Sequence, residues 1–377
     1  MGGGCGADTT PPPPHISGPL GSALSSRYGA RPVVMVGGLL SGLGFLLGAF
    51  ATSLFHLYLS VGLLAGLGWA LVFTPSLGAV SCYYPTRSSM ATGFAMAGAS
   101  ISGLALGPLT PILLDTYGWR GSLLLLAALS FNLMVAGALF RPLEAPNPPS
   151  RPPISRKQGG LRSLLHHGPF LRYSLAFILV DAGYYVPHIH GAARVLEVGC
   201  DDGGAGLVMA ATAAADGVGR VVSGLMASHP SSSLLRHLFG WSVLTGLSLM
   251  LFPMGTSFGG LLVLGLGYGF CAGAVVPLQF TGVAEVVGDG RLLHAMGLMQ
   301  MFESVGSLMG APLAGWLRDL TGDFKASFFA AGAFLFAGSL LILTLPSFFH
   351  STRRHDGVLD PVSKGLENPS VPLSAPN

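Results

Sequence analysis

Long apolar runs, broken at short intervals by small polar or basic clusters, set the pattern of the chain. A helix needs about 20 mainly apolar residues to cross a bilayer. Ten stretches supply them, at 33–52, 56–80, 91–114, 121–141, 173–193, 204–227, 237–254, 259–281, 292–316 and 326–346. The predicted fold is an all-α polytopic membrane protein made of two helical bundles. Residues 1–17 form a Gly- and Pro-rich tail, 18–141 a first bundle, 142–171 a linker, 172–348 a six-helix second bundle and 349–377 a second tail. The linker holds Pro146, Pro148, Pro149, Pro152 and Pro153 with Arg156, Lys157 and Arg162, a basic proline-rich spacer. Four spans precede it, and Gly18 to Ser26 read as the last turns of a fifth, so the first bundle is expected to lack about two helices.

Composition agrees with a membrane location. Half of the 377 residues are hydrophobic and only 9% are charged, against roughly 25% in a soluble domain. Most of the 56 glycines sit inside apolar runs, where small residues let membrane helices approach closely. Gly38 with Gly42, Gly44 with Gly48 and Gly103 with Gly107 have the four-residue packing spacing. The first 17 residues have no apolar core and are not a signal peptide. A net charge of +3 spread over so few charges gives no reason to expect nucleic-acid binding.

Placement of the basic residues orients the chain. With the linker and both termini in the cytoplasm, only Arg120, Arg194, Arg318 and Lys325 of the 19 Lys and Arg fall outside, while Arg220 lies within a span. The chain also repeats itself. An offset of 204 brings Gly93 onto Gly297, Pro108 onto Pro312, Asp115 onto Asp319 and Gly118 onto Gly322. Two parallel repeats about a cytoplasmic linker are the layout of major facilitator transporters, which bind substrate near the bilayer midplane.

Ionisable residues inside the membrane are costly, so they face a cavity or a partner. Asp216 and Arg220 share one span at a spacing of four, which puts them on one helix face. The Arg220 guanidinium can hold a substrate carboxylate with two hydrogen bonds, and Asp216 is the proton-exchanging partner within reach. The competing reading is that the two neutralise each other and pin helices together. Glu303 is a candidate second protonatable group. Asp181 clusters with Tyr184, Tyr185, His188 and His190 near Pro187; the pattern reads first as an interfacial aromatic belt with exposed histidines and second as a pH-sensing or gating group.

No metal-ligand cluster, nucleophile with a base, or nucleotide loop emerges, so neither an enzyme nor a cofactor is expected. Cys5, Cys82, Cys200 and Cys271 have no paired spacing and read as small apolar filler. Gly265-x-Gly267-x-Gly269 lacks the strand and helix context of a phosphate loop.

Three segments carry a resemblance: Gly21-Ser-Ala-Leu-Ser-Ser-Arg-Tyr-Gly-Ala-Arg-Pro, Leu164-Leu-His-His-Gly-Pro-Phe and Asp216-Gly-Val-Gly-Arg-Val-Val-Ser-Gly. The chain from Gly18 to Phe349 resembles the monocarboxylate transporter family. The resemblance implies proton-linked symport of small monocarboxylates at the plasma membrane, or at the Golgi or another internal membrane. It assigns the proton and carboxylate site to Asp216 and Arg220 and substrate size to Phe280. It also implies a single-pass glycoprotein partner for surface delivery. Arg87 stands where the family has a pair of arginines, with Ser88 in the second place, and Asp181 is more acidic than the family pattern. The acidic residue and Gly-Gly-Trp-Gly-Trp of the family's first helix are absent. Two other readings stay open: a truncated product that does not transport and acts through membrane partners, and a facilitative carrier of a larger organic solute.

Overall fold

A computed structural model describes residues 20–140, 161–229, 233–288 and 291–346. The predicted tails and most of the linker lie outside these. The described residues contain no strand, and their helices follow the apolar runs. The helices are α1 (Leu20–Tyr28), α2 (Ala30–Ala49), α3 (Leu54–Tyr83), α4 (Ser88–Ala138), α5 (Gly168–Tyr184) and α6 (Val186–Glu197). They continue with α7 (Asp202–Ala227), α8 (Leu234–Leu251), α9 (Phe258–Val287), α10 (Leu292–Thr321) and α11 (Lys325–Leu343).

Polar side chains start several of these helices. Ser53, Asp201 and Ser257 each accept a hydrogen bond from the backbone N–H three residues on, supplying a partner that the first turn lacks. Glycine makes two of the turns. Gly118, with φ 64°, bends α4 into two limbs, and Gly322, with φ 80°, closes α10 in the left-handed region. The offset of 204 superimposes these two glycines, so both copies of the repeat turn at a positive-φ glycine, with ψ at 176° in the first and −5° in the second.

Counting the limbs of α4 separately and α5 with α6 as one broken span, the ten predicted spans are all helical. Eight are long and apolar enough to cross a membrane by length and composition. The two that fall short are informative. The span predicted at 173–193 breaks at Tyr185 into pieces of 17 and 12 residues, with Pro187 just beyond the break. α10 is long enough, but His294, Gln300, Glu303, Arg318 and Asp319 dilute its apolar character.

α7 packs most closely on α9, α2 on α4, and α5 on α11 and α10, while α4 crosses to α7. The main buried core comes from residues between Leu164 and Leu345, with Phe170, Tyr173, Phe177, Tyr268 and Phe328 at its centre. Apolar residues on the outer faces, such as Leu63, Leu139 and Leu308, are exposed, as lipid-facing positions require. The Gly38, Gly42, Gly44 and Gly48 positions meet Met134, Phe131, Ala65 and Val61 closely. Gly103 and Gly107 have nothing within 4 Å, so their spacing packs no helix among the described residues.

Candidate functional site

The α7–α9 contact sets the position of the charged pair. A Cβ added at Gly273 of α9 would lie 2.1 Å from the Asp216 carbonyl oxygen, and one at Gly219 of α7 would lie 2.1 Å from that of Phe270. Only hydrogen fits at either point, so the two backbones touch beside the Asp216 carboxylate.

Asp216 and Arg220 form the predicted pair, with Arg220 Nε 2.8 Å from Asp216 Oδ2. Both side chains are buried, at 8% and 11% exposure. From α4, Ser100 Oγ donates to the same Asp216 oxygen at 2.5 Å, and the Met96 carbonyl accepts from Arg220 Nη1 at 3.3 Å. The other carboxylate oxygen, Oδ1, is buried and has no hydrogen-bond partner among the described residues. Arg220 Nη2 makes no hydrogen bond among the described residues, so one donor nitrogen of its planar fork is unused. A buried carboxylate oxygen without a partner is an unfilled acceptor site.

Phe280 lies beside this pair. It packs with Leu77 of α3, Met96 of α4 and Met296 of α10, and meets Phe73 edge-on at 5.6 Å. Met96 therefore contributes its side chain to the Phe280 cluster and its carbonyl to Arg220. The neighbouring Gln279 donates to Glu303 Oε1 at 2.7 Å, while its own carbonyl accepts from Tyr173 OH at 2.6 Å. Nearby, Thr74 of α3 donates to Gln300 of α10. The two polar links join α9 to α10 and α3 to α10 at the level of the Phe280 cluster.

Asp181 is buried on α5 and within electrostatic range of Glu303, but has no hydrogen-bond partner among the described residues. Arg87 stands apart: it is exposed at the start of α4 and contacts none of the pair. Four contributors were not foreseen, namely Ser100, Met96, Gln279 and Thr74. Each reaches the site through a partner more than 20 positions away in the chain, and a lone Ser or Thr in a membrane helix carries no periodic signal. Among the described residues no group of three His, Cys, Asp or Glu side chains could hold a metal ion.

The profile of the Major Facilitator Superfamily matches residues 15–229 and 195–367. Monocarboxylate transporter 13 of Rattus norvegicus is 49% identical over 335 residues, covering 89% of this chain and 78% of that protein. Monocarboxylate transporter 11 of Homo sapiens is 45% identical, covering 88% and 72%. Among solved structures, the E. coli fucose:proton symporter superposes with a TM-score of 0.67 at 14% identity, over 86% of each chain. The human organic anion transporter MFSD10 gives 0.60 at 18% identity, over 86% of this chain and 79% of its own. At such identity the structural likeness speaks for the fold.

Proposed function

Because the chain belongs to the monocarboxylate transporter family of the Major Facilitator Superfamily, we propose that it moves a small monocarboxylate, of the lactate, pyruvate and ketone-body class, together with a proton. Membership makes it a multi-pass membrane transporter and not an enzyme. The observation that carries the finer reading is the Asp216–Arg220 pair with one buried carboxylate oxygen and one guanidinium nitrogen that have no hydrogen-bond partner among the described residues.

The chemistry follows from that pair. A substrate carboxylate on the Arg220 fork replaces Asp216 as its counter-ion, and Asp216 then takes a proton on Oδ1 rather than remain a buried, unpaired anion. Proton and anion thus enter as one neutral load. The bundles of residues 18–141 and 172–348 then rock about the site, with the linker and both termini in the cytoplasm of a plasma-membrane protein. Glu303 and Asp181 line the same region as further protonatable groups, and Arg87 belongs to a cytoplasmic loop. A single-pass glycoprotein partner at the cell surface completes the reading.

Uptake of labelled lactate and pyruvate by proteoliposomes, with and without an inward proton gradient, tests it. The gradient is expected to stimulate uptake, and Asp216→Asn is expected to remove that stimulation while leaving a slow exchange of internal for external substrate. Uptake that ignores the gradient would favour a facilitative carrier, and none at all the truncated, non-transporting reading.

Phe280 sets the second expectation. Its ring fills the space among Leu77, Met96 and Met296 beside Arg220. Phe280→Ala is expected to improve KM for branched or aromatic monocarboxylates by about tenfold relative to lactate, the scale on which apolar pockets sort substrates by size. Competition of each acid against labelled lactate reads the ratio directly.

A further inference from the structure

His188 lies just past the Tyr185 break, one helical turn beyond Tyr184. Its ring stacks on Tyr184 with centroids 5.2 Å apart and meets Tyr268 edge-on at 6.1 Å. Its Nδ1 is 3.2 Å from the Tyr184 carbonyl oxygen, which also accepts from Tyr268 OH at 2.6 Å. A carbonyl only accepts, so Nδ1 carries the hydrogen and Nε2 is the atom that gains or loses a proton.

The two tyrosines are buried, yet His188 itself is exposed. With Met209, Thr212 and Phe252 it borders a small cavity between α6, α7 and α9. Thr212 is one turn from Asp216 on the same face of α7, so His188 stands about 6 Å along that helix from the charged pair. Its displacement is toward the Asp202 end, the outer end in the proposed orientation. Asp216 and Arg220 face it from α7 and Tyr268 from α9. Tyr184 and Tyr185 face it from the break, with Asp181 and Glu303 of α10 within range of Tyr185. On its own helix, Arg194 is paired with Glu197.

Asp216 and Arg220 sum to zero charge and present little field to an approaching anion. We propose that His188 is a second proton-exchanging group of this cavity, one turn outward of the pair, whose protonated ring draws in the carboxylate anion before Arg220 takes it. The proton then passes from His188 Nε2 to Asp216 Oδ1. The N–H bond breaks, the O–H bond forms, the ring returns to neutral, and Arg220 is freed for the substrate.

This rests on the proton-linked reading above, so the test separates the two. Lactate uptake by proteoliposomes is measured from about pH 5.5 to pH 8 outside for the wild type, His188→Gln and His188→Lys. Gln keeps a donor for the Tyr184 carbonyl without the charge. His188→Gln is expected to raise KM about tenfold at pH 6 and leave it unchanged at pH 8, while His188→Lys holds KM low throughout. A His188→Gln profile that superimposes on a proton-stimulated wild type overturns the role of His188 and leaves the transport reading standing. If the wild type itself ignores the gradient, that reading fails. His188 is then tested alone by diethyl pyrocarbonate labelling of the purified chain across the same pH range, read by mass spectrometry. A pH profile that moves in Asp216→Asn supports proton exchange between the two groups, and one that does not move overturns it.

Discussion

Replacing Arg220 with Gln is expected to bring proton-driven uptake to background and to lower the melting temperature of the purified protein. Asp216 is buried, and Arg220 is its counter-ion at 2.8 Å. Removing one member of a buried pair costs about 3–5 kcal/mol, because the other is left as an uncompensated charge. Ser100 remains as a donor, but a neutral hydroxyl cannot replace a cation. The double variant Asp216→Asn with Arg220→Gln separates the two losses. A neutral, hydrogen-bonded pair of similar shape avoids the stranded charge, so thermal stability should return to near that of the wild type. Transport should not return, since neither a fixed cation nor an acid is present. If the double variant is as unstable as the single one, helix packing rather than charge is what Arg220 supplies.

The sequence held more of this site than of its surroundings. Asp216 and Arg220 were legible because a spacing of four on a membrane helix has one geometric meaning, and a pair of charges there needs a reason. Ser100 was not, because its position opposite Asp216 depends on how α4 crosses α7, which no local pattern encodes. The broken span was half legible. Pro187 marked a kink, and His188 is exposed as a belt histidine would be, but the contacts of its ring with Tyr184 and Tyr268 are not written in the local pattern. A histidine on a helix gives no sign of which side of the bundle it faces until its neighbours are known. The glycine spacings divide in the same way: those of α2 pack, and Gly103 with Gly107 do not, although the motif is identical. Length and hydropathy together find eight spans and pass over α5–α6, whose break leaves pieces of 17 and 12 residues, and α10, which is diluted by polar residues; these two hold Asp181, His188 and Glu303.

Gly273→Ala is expected to damage both folding and transport, whereas Gly267→Ala, six residues earlier on the same helix, should be neutral or stabilising. The first substitution sets a methyl group 2.1 Å from the Asp216 carbonyl oxygen, and the second meets nothing within 4 Å. The atom struck at Gly273 is backbone, so no rotamer change relieves the clash and α9 must move away from α7. Gly219 and Gly269, with Cβ positions 2.1 and 2.2 Å from the Phe270 and Thr212 carbonyl oxygens, lie along the same seam and would lose contact together. Overpacking of this kind costs about 1–3 kcal/mol, while Gly to Ala at an open helical position gains up to about 1 kcal/mol. The two variants should then shift the melting temperature in opposite directions. The functional consequence follows from where the seam lies. Moving α9 displaces Phe280 and Gln279 relative to Asp216, so a Gly273→Ala protein that still inserts in the membrane should show a raised KM for lactate. Normal KM together with normal thermal stability would mean that the α7–α9 seam is not what holds the charged pair in place.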